Sequence, residues 1–157
     1  MRRGFITHIS TNGAGVIHDW EIAYQGQTSE DVKTGLADGS FGFWKETFAG
    51  VNGGAKRAEA EQLGYGGAMG QSILDAGLPH AMFAEAARLQ IPATVHVAFG
   101  CDIVHMDPEL DGAALGAATL RDFWILADTV SRLDGGVWLN IGSAVIMPEV
   151  FLKAVSI

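Results

Sequence analysis

The feature that most constrains this chain is a short apolar run that enters a glycine turn and continues into a helical pattern, over residues 6–19. Gly13 and Gly15 allow the backbone to turn sharply and to approach a ligand closely. The helix that follows would point its free N–H groups and the positive end of its dipole at the turn. Many α/β proteins hold nucleotides with a strand, a glycine turn and a helix in this order. The pattern here is Gly-Ala-Gly and not three spaced glycines, so an ordinary tight turn also fits.

Three apolar runs, at residues 5–10, 94–99 and 137–141, each enter a turn of small residues. Apolar residues at helical spacing predict helices over residues 81–89 and 115–133, whereas glycines break residues 33–44 and predict irregular structure there. Strands that alternate with helices predict an α/β fold with a parallel sheet covered by helices on both faces. The carboxyl ends of the strands would share one edge, where ligands collect.

Composition narrows the classes of function. The chain has 157 residues, enough for one domain, and a formal net charge of −8, which disfavours nucleic acid as a partner. Hydrophobic residues make up 48% of the chain, but no uninterrupted run approaches the roughly 18 residues of a membrane helix. The apolar excess predicts a sheet buried on both faces or an oligomer interface. A single cysteine, Cys101, and the lack of an export signal predict a cytoplasmic protein.

Polar residues follow the second and third apolar runs. Asp102 and His105 could act there as acid, base or cation contact. A metal held by His96, Asp102 and His105 is disfavoured, because their spacing is not a known ligand pattern, and His96 is more typical of a core histidine. After the third run, Gly142 and Ser143 precede a helix start and could cradle an anion through the backbone. A nucleophilic serine is disfavoured at Ser143, since only one glycine flanks it and no acid–histidine pair is evident.

Three motifs resemble those of deoxyhypusine synthases. Residues 11–19, Thr-Asn-Gly-Ala-Gly-Val-Ile-His-Asp, are similar to the family's Thr-Ala-Gly-Gly-Val-Glu-Glu-Asp turn, with Asp19 at the last acid and Ile17 and His18 in place of the other two. Ile-Pro at residues 91–92, followed by Gly-Cys-Asp at 100–102, resembles the family's Ile-Pro strand that ends in Thr-Asp-Gly. Residues 139–146 resemble its late Ile-Leu-Gly-Gly-Gly-Val-Val strand and turn. The order and spacing agree over nearly the whole chain, and the bacterial branch matches best.

The resemblance implies a Rossmann-like fold of the deoxyhypusine synthase type, a homotetramer and an NAD cofactor. It also implies the oxidation of spermidine, a polyamine, and transfer of its aminobutyl group to an amine acceptor. The residues that the resemblance brings near NAD lie on the two glycine turns: Asn12, Gly13, Ala14, Gly15, Gly142 and Ser143. Asp19 and Asp102 would lie near the polyamine or the cofactor ribose, and His105 is assigned with them as a substrate contact.

The chain also departs from the family. Met-Pro-Glu at residues 147–149 replaces histidine-rich sequence, and the family's catalytic lysine would lie downstream of Ile157. Residues 149–157 predict an amphipathic helix without a closing glycine, which indicates a piece of a longer protein. We therefore expect one incomplete nucleotide-binding domain over residues 1–157, and a transferase that is catalytically incomplete. The alternatives are a non-catalytic nucleotide-binding or oligomerisation domain, and an unrelated α/β hydrolase or deaminase that acts through Asp102 and His105.

Overall fold

A computed structural model describes residues 1–29, 31–78 and 80–157 of the chain. Within these ranges, two short strands, seven α-helices and one 3₁₀ turn follow one another. In chain order they are β1 (Ile9–Asn12), α1 (Gly13–Gln25), α2 (Val32–Asp38), α3 (Lys45–Ala60), α4 (Tyr65–Asp75), α5 (Met82–Arg88), β2 (Ala93–His96), the 3₁₀ turn (Ile103–Met106), α6 (Gly112–Ser131) and α7 (Ile146–Val155).

The predicted Rossmann-like sheet covered by helices on both faces is wrong. The fold is mostly helical, at 57%, and the sheet has two strands. The strands β1 and β2 pair in parallel, with Ile9 opposite Ala93 and Asn12 opposite His96, as the first two apolar runs predict. The third run, residues 137–141, forms neither a strand nor a helix. Its alternate side chains Val137, Leu139 and Ile141 are exposed to solvent, whereas a strand inside a parallel sheet would be buried on both faces.

Side chains of α6 occupy the outer edge of β2, where a further strand would otherwise pair. Asp122 Oδ2 accepts the backbone N–H of Val95 at 2.7 Å and that of Gly66, in the first turn of α4, at 2.8 Å. Thr119 Oγ1 donates to the carbonyl of Val95 at 2.8 Å and accepts the N–H of Val97 at 3.0 Å. The sheet ends at β2 because α6 has already satisfied the backbone groups of that edge.

Most of the core lies between helices that approach one another through glycines. A methyl group added at Gly66 of α4 would lie 2.2 Å from the carbonyl oxygen of Ala93, and one at Gly70 would lie 2.6 Å from that of Phe83. On α3, a methyl group at Gly54 would lie 2.1 Å from the sulfur of Met69. These contacts let α4 lie directly on β2 and on its neighbouring helices. The large side chains buried in this core are Tyr65, Met69, Ile73, Phe83 and Leu115.

Local signals explain where the helices begin and end. Asn12 caps α1, because its side chain accepts the N–H of Gly15, and Gly26 closes the helix with a left-handed backbone. The prediction that residues 33–44 are irregular is wrong for α2, which Asp31 caps through the N–H and hydroxyl of Thr34. The helices predicted at residues 81–89 and 115–133 are confirmed as α5 and α6. No described helix is both long and apolar enough to cross a membrane.

Two adjacent glycines of α4 should respond to alanine in opposite directions. Gly66→Ala places a methyl group against the backbone of β2, and we expect a loss of about 3 kcal/mol or more in the free energy of unfolding. Gly67→Ala meets no atom within 4 Å and should stabilise the protein by about 0.5–1 kcal/mol through helix propensity. Urea denaturation of both variants measures the difference; equal effects would show that α4 does not lie directly on β2.

Removal of the Asp122 carboxylate should destabilise the fold far more than removal of an exposed acid on the same helix. Asp122→Ala leaves the N–H groups of Gly66 and Val95 without partners, which should cost about 2–5 kcal/mol of unfolding free energy. The matched control is Asp128→Ala, which breaks an exposed ion pair with Arg132 and should cost at most about 0.5 kcal/mol. Similar losses in the two variants would contradict the role of Asp122.

Candidate functional site

A cavity of about 420 Å³ lies between β1 and residues 137–141. We call it the β1 groove. Part of its wall is apolar, with Leu133 and Trp138 among the contributing side chains, and none of the described residues that line it is an acid, a lysine or an arginine. Its polar lining consists of uncharged hydroxyl, imidazole and amide side chains, namely Thr7, His8, Ser10, Thr11, Thr129, Asn140 and Ser143.

A chain of hydrogen bonds connects the floor of the β1 groove to both strands and to α6. His8 Nδ1 lies 2.8 Å from Thr129 Oγ1, and His8 Nε2 lies 3.1 Å from Thr94 Oγ1. Ser10 Oγ lies 2.5 Å from Thr94 Oγ1 and 3.1 Å from His96 Nε2. Alternate residues of a strand share a face, and the parallel register places Ser10 beside Thr94, so these five side chains meet on one face of the sheet.

The protons of this chain can be assigned from one fixed donor. Thr129 Oγ1 donates its only proton to the carbonyl of Ile125, so it must accept from His8 Nδ1–H. His8 Nε2 then carries no proton and accepts a hydrogen bond from the Thr94 hydroxyl. Thr94 in turn accepts from Ser10, which leaves His96 Nε2–H as a donor to Ser10. Every proton of the chain is engaged, and Ser10 and the other oxygens offer only lone pairs.

The two histidines of this hydrogen-bond chain, His8 and His96, are neutral at neutral pH. Burial lowers the pKa of His8 to about 4. Burial also lowers the pKa of His96 to about 4, and the nearby His8 contributes to the same shift. In the proton assignment above, His96 donates to Ser10 and does not accept from it, so the pair is not arranged as a nucleophile and its base. The cluster is arranged for hydrogen bonding, not for nucleophilic attack.

The buried imidazole of His96 should make stability depend on pH. Its pKa is about 4 in the folded protein and near 6.5 in the unfolded chain, so the unfolded chain takes up the proton first as pH falls. His96 therefore lowers stability progressively from about pH 6.5 to pH 4, by up to about 1.4 kcal/mol per pH unit. Asp122 opposes this trend, because burial raises its pKa to about 7 and its contribution is lost as pH rises through that value.

Comparison with His96→Gln isolates the histidine, since the contribution of Asp122 is common to both proteins. The unfolding free energy of the wild type should fall more steeply than that of the variant between about pH 6.5 and pH 4.5. The reference is the difference between the two at about pH 8, where imidazole is neutral in both states. Parallel pH profiles over the whole range would mean that His96 is not held neutral by burial.

The Asp102 carboxylate occupies the space beside Gly13, where the sequence predicts a glycine turn that binds a ligand. A methyl group added at Gly13 would lie 1.9 Å from Asp102 Oδ2, so the Asp102 carboxylate packs directly against the first residue of α1. A carboxylate at a helix N-terminus is favourable because of the helix dipole. Burial nevertheless raises the pKa of Asp102. The position at which a nucleotide phosphate was expected is therefore filled by Asp102.

His105 and Asp102 hold each other in the loop after β2. The N–H groups of Gly100 and Asp102 both donate to His105 Nδ1, each at 3.1 Å, so the basic nitrogen of the ring is engaged. The side chain of Asp102 accepts the N–H of His105 in return. His105 Nε2 is buried without a partner. The structure thus brings Gly13, Asp102 and His105 together, around a space that admits no water molecule.

The other predicted site residues lie apart from this pair. Asp19 Oδ1 and Oδ2 accept the N–H groups of Met82 and Phe83, at 2.7 and 2.9 Å, so Asp19 caps α5. Burial raises the pKa of Asp19 despite these two bonds. Asn12 and Gly15 form the cap of α1 with Ala14 between them, and a methyl group at Gly15 would lie 2.7 Å from Thr11 Cβ. The roles of these residues toward a cofactor or substrate stay predictions.

The second predicted turn lies beside the β1 groove. Gly142 has a φ of 79°, a backbone conformation that favours glycine. Ser143 lines the groove, and its hydroxyl accepts the N–H of Met147 at the start of α7 at 3.1 Å. Asn140 donates to the carbonyl of Ser143 at 2.8 Å, which holds the turn in place. Ser143 is the predicted site residue that the structure places on the groove wall.

Sequence reasoning missed His8, Ser10, Thr94 and Thr129. The available signal was polar alternation within the first two apolar runs, with His8 and Ser10 in one and Thr94 and His96 in the other. Such alternation predicts one polar face on a pair of parallel strands. Within the described residues, no three His, Cys, Asp or Glu side chains come together in a way that could hold a metal ion.

The chain matches no family model, no curated protein and no solved structure. The likeness to deoxyhypusine synthases therefore stays a prediction from the motifs, and the functional conclusion rests on the geometry of the β1 groove.

Proposed function

We propose that this chain is a non-catalytic nucleotide-binding domain whose β1 groove holds the uncharged adenosine part of a dinucleotide. NAD is the dinucleotide that the motif resemblance implies. The observation that carries the proposal is a groove that is rich in hydrogen-bonding side chains yet free of charge over its described lining. Specific ligand pockets combine such an apolar wall with a few placed polar groups.

The hydrogen-bond chain on the floor of the groove defines the kind of ligand that fits. Ser10 and Thr129 have already donated their protons within the chain, so they can only accept from a ligand. A neutral molecule with amino or hydroxyl donors suits this floor, and adenosine carries both. A polyamine does not, because a groove without a carboxylate cannot compensate for the lost hydration of ammonium groups.

The size and charge of the groove limit how much of NAD it can hold. Its volume of about 420 Å³ is near the lower end for ligand pockets, which run from roughly 300 to 1,000 Å³. One base and its ribose fit this space better than a whole dinucleotide does. No lysine or arginine lines the groove among the described residues, so the pyrophosphate would gain no ion pair there. We therefore expect NAD to bind weakly, and no more tightly than adenosine does.

A second candidate is the NAD-dependent aminobutyl transferase that the resemblance implies. The parallel strands bring Gly13 and Asp102 together at their carboxyl ends, as this candidate expects, but the Asp102 carboxylate occupies the position expected for a phosphate. Two features oppose turnover in this chain. Lys153 is exposed and paired with Glu149, and Lys45 is exposed at the start of α3, whereas a lysine that forms an imine needs a desolvated setting.

Calorimetry with adenosine tests the proposed site. Ser10→Ala removes a hydrogen-bond acceptor from the floor of the β1 groove. Ser143→Ala removes a hydroxyl group from its wall. Each should weaken adenosine binding by about 2- to 10-fold, the value of one hydrogen bond. Ser131→Ala is the matched control, because that hydroxyl is exposed on α6 and donates to the backbone of its own helix. Purine riboside, which lacks the amino donor, should bind more weakly than adenosine.

Competition and turnover measurements separate the two candidates. Adenosine binding that both serine variants leave unchanged, or adenosine that spermidine displaces, would remove the β1 groove from consideration. Incubation with NAD and spermidine should release neither NADH nor 1,3-diaminopropane. Robust release of either product would favour the transferase instead.

A further inference from the structure

The hydrogen-bond chain under the β1 groove could run in either of two directions. In the direction assigned above, protons point from His96 through Ser10 and Thr94 to His8 Nε2, and His8 Nδ1–H points to Thr129. Reversal would place the His8 proton on Nε2, and each hydroxyl would donate to the next residue towards His96. Hydroxyl and imidazole groups can each both donate and accept, so the same distances suit both directions. A group outside the hydrogen-bond chain must therefore select one of them.

The backbone carbonyl of Ile125 makes this selection through Thr129. Thr129 Oγ1 lies 3.1 Å from the Ile125 carbonyl oxygen, four residues earlier on α6. A carbonyl oxygen carries no proton and can only accept, so the Thr129 hydroxyl must donate to it. In the reverse direction Thr129 would donate to His8 instead, and its lone pairs would face the carbonyl oxygen with no proton between them. The carbonyl therefore fixes the direction at one end of the hydrogen-bond chain.

The direction set at Thr129 passes along the hydrogen-bond chain because His8 is neutral. A neutral imidazole carries a proton on one ring nitrogen only, so a donor at Nδ1 requires an acceptor at Nε2. Burial lowers the pKa of His8 to about 4, so this form is present at neutral pH. Among the described residues, the Ser10 and Thr94 hydroxyls bond only to one another and to the two histidines. No other group therefore resets the direction between His8 and His96.

The direction determines what the floor of the β1 groove offers to a ligand. In the assigned direction the Ser10 proton lies on the bond to Thr94, and Ser10 Oγ keeps a lone pair for a donor in the groove. In the reverse direction Ser10 would accept from Thr94, and its proton would be available to His96 Nε2 or to an acceptor on the ligand. The same hydroxyl would then suit an oxo group instead of an amino group.

We propose that Thr129 is a positioning residue that fixes the direction of this hydrogen-bond chain and thereby selects 6-amino over 6-oxo purines in the β1 groove. The selection rests on the proposed function, adenosine binding, whereas the direction rests on the contacts of Thr129 alone. A buried acceptor that faces an oxo group gains no hydrogen bond, so a site built to accept from an amino group rejects the oxo analogue. Thr129 thus acts on the ligand through His8, Thr94 and Ser10.

The tautomer of His8 in the ligand-free protein tests the direction. Two-bond proton–nitrogen correlation spectra of the nitrogen-15-labelled full chain distinguish a protonated ring nitrogen from an unprotonated one. At about pH 7.5, above the usual imidazole pKa, the wild type should carry the proton at Nδ1. His8→Gln identifies the signals because it removes them. Thr129→Ser keeps the hydroxyl and should keep this tautomer. Thr129→Val has a similar shape but no hydroxyl, and it should move the proton to Nε2, where Thr94 can accept it.

Calorimetry with adenosine and with inosine tests the selection. The wild type and Thr129→Ser should bind adenosine about tenfold more tightly than inosine, the value of one hydrogen bond to a buried acceptor. In Thr129→Val this ratio should fall to about threefold or less. The two nucleosides share the same ribose, so a lost contact between Thr129 and the ribose leaves the ratio unchanged. An equal loss of affinity for both nucleosides in Thr129→Val would show a merely structural role and reject the selection.

A proton at His8 Nε2 in the wild type would overturn the proposal, and so would an unchanged His8 tautomer in Thr129→Val. Equal affinities of the wild type for adenosine and inosine, at a site that Ser10→Ala weakens, would also overturn it. Failure of the proposed function gives a different result. Adenosine would then not bind, which rejects the selection of purines, while a His8 tautomer that follows the Thr129 hydroxyl would still support the direction. Thr129→Ala, which also lacks the hydroxyl, replaces Thr129→Val if circular dichroism shows that the valine variant is unfolded.

Discussion

The carboxylate of Asp122 is the interaction on which the rest of the fold depends. It is fully buried, and it accepts N–H groups from two elements that are far apart in sequence, the edge of β2 and the first turn of α4. A buried charge is stable only where hydrogen bonds replace its hydration. Burial still raises its pKa to about 7, so the fold retains this group at an energetic cost. The connection fixes α6 along β2, and this position makes Thr129 available to the hydrogen-bond chain under the β1 groove.

Local sequence signals predicted the parts of the fold that local physics determines. The α5 and α6 helices follow from their apolar spacing. The start of α1 was not predicted, because Gly13 and Gly15 were expected in a turn, whereas Asn12 caps a helix that already begins at Gly13. The parallel pairing of β1 and β2 follows from two apolar runs separated by helices. Nothing local indicated that α6 would use Asp122 and Thr119 to occupy the edge of β2. That arrangement depends on residues about 25 positions apart along the chain, and it explains why the predicted wide sheet is wrong.

The candidate site was likewise predicted only where local sequence signals determine it. Gly13 and Asp102 were singled out because each follows an apolar run, and the parallel strands do bring them together. Their predicted roles assumed that both were free to meet a ligand, whereas Asp102 fills the helix N-terminus that Gly13 exposes. Asp19 was selected for its charge, yet that charge caps α5. In contrast, His8 and Thr129 carry no motif, and their importance appears only when an element 121 residues away completes their hydrogen bonds.

The two edges of the sheet differ in whether their backbone groups are free to pair, and this difference limits the addition of strands from other molecules. Amyloid-like fibrils need strands with two open edges, so that each added strand presents a new site for the next. Here β2 cannot act as such a template, because Thr119 and Asp122 already occupy its outward backbone groups. Among the residues that the structure describes, no further strand pairs with the outer edge of β1. Pairing through this sheet must therefore stop after one event, so the native fold terminates strand polymerisation even though it leaves apolar strand-forming sequence exposed.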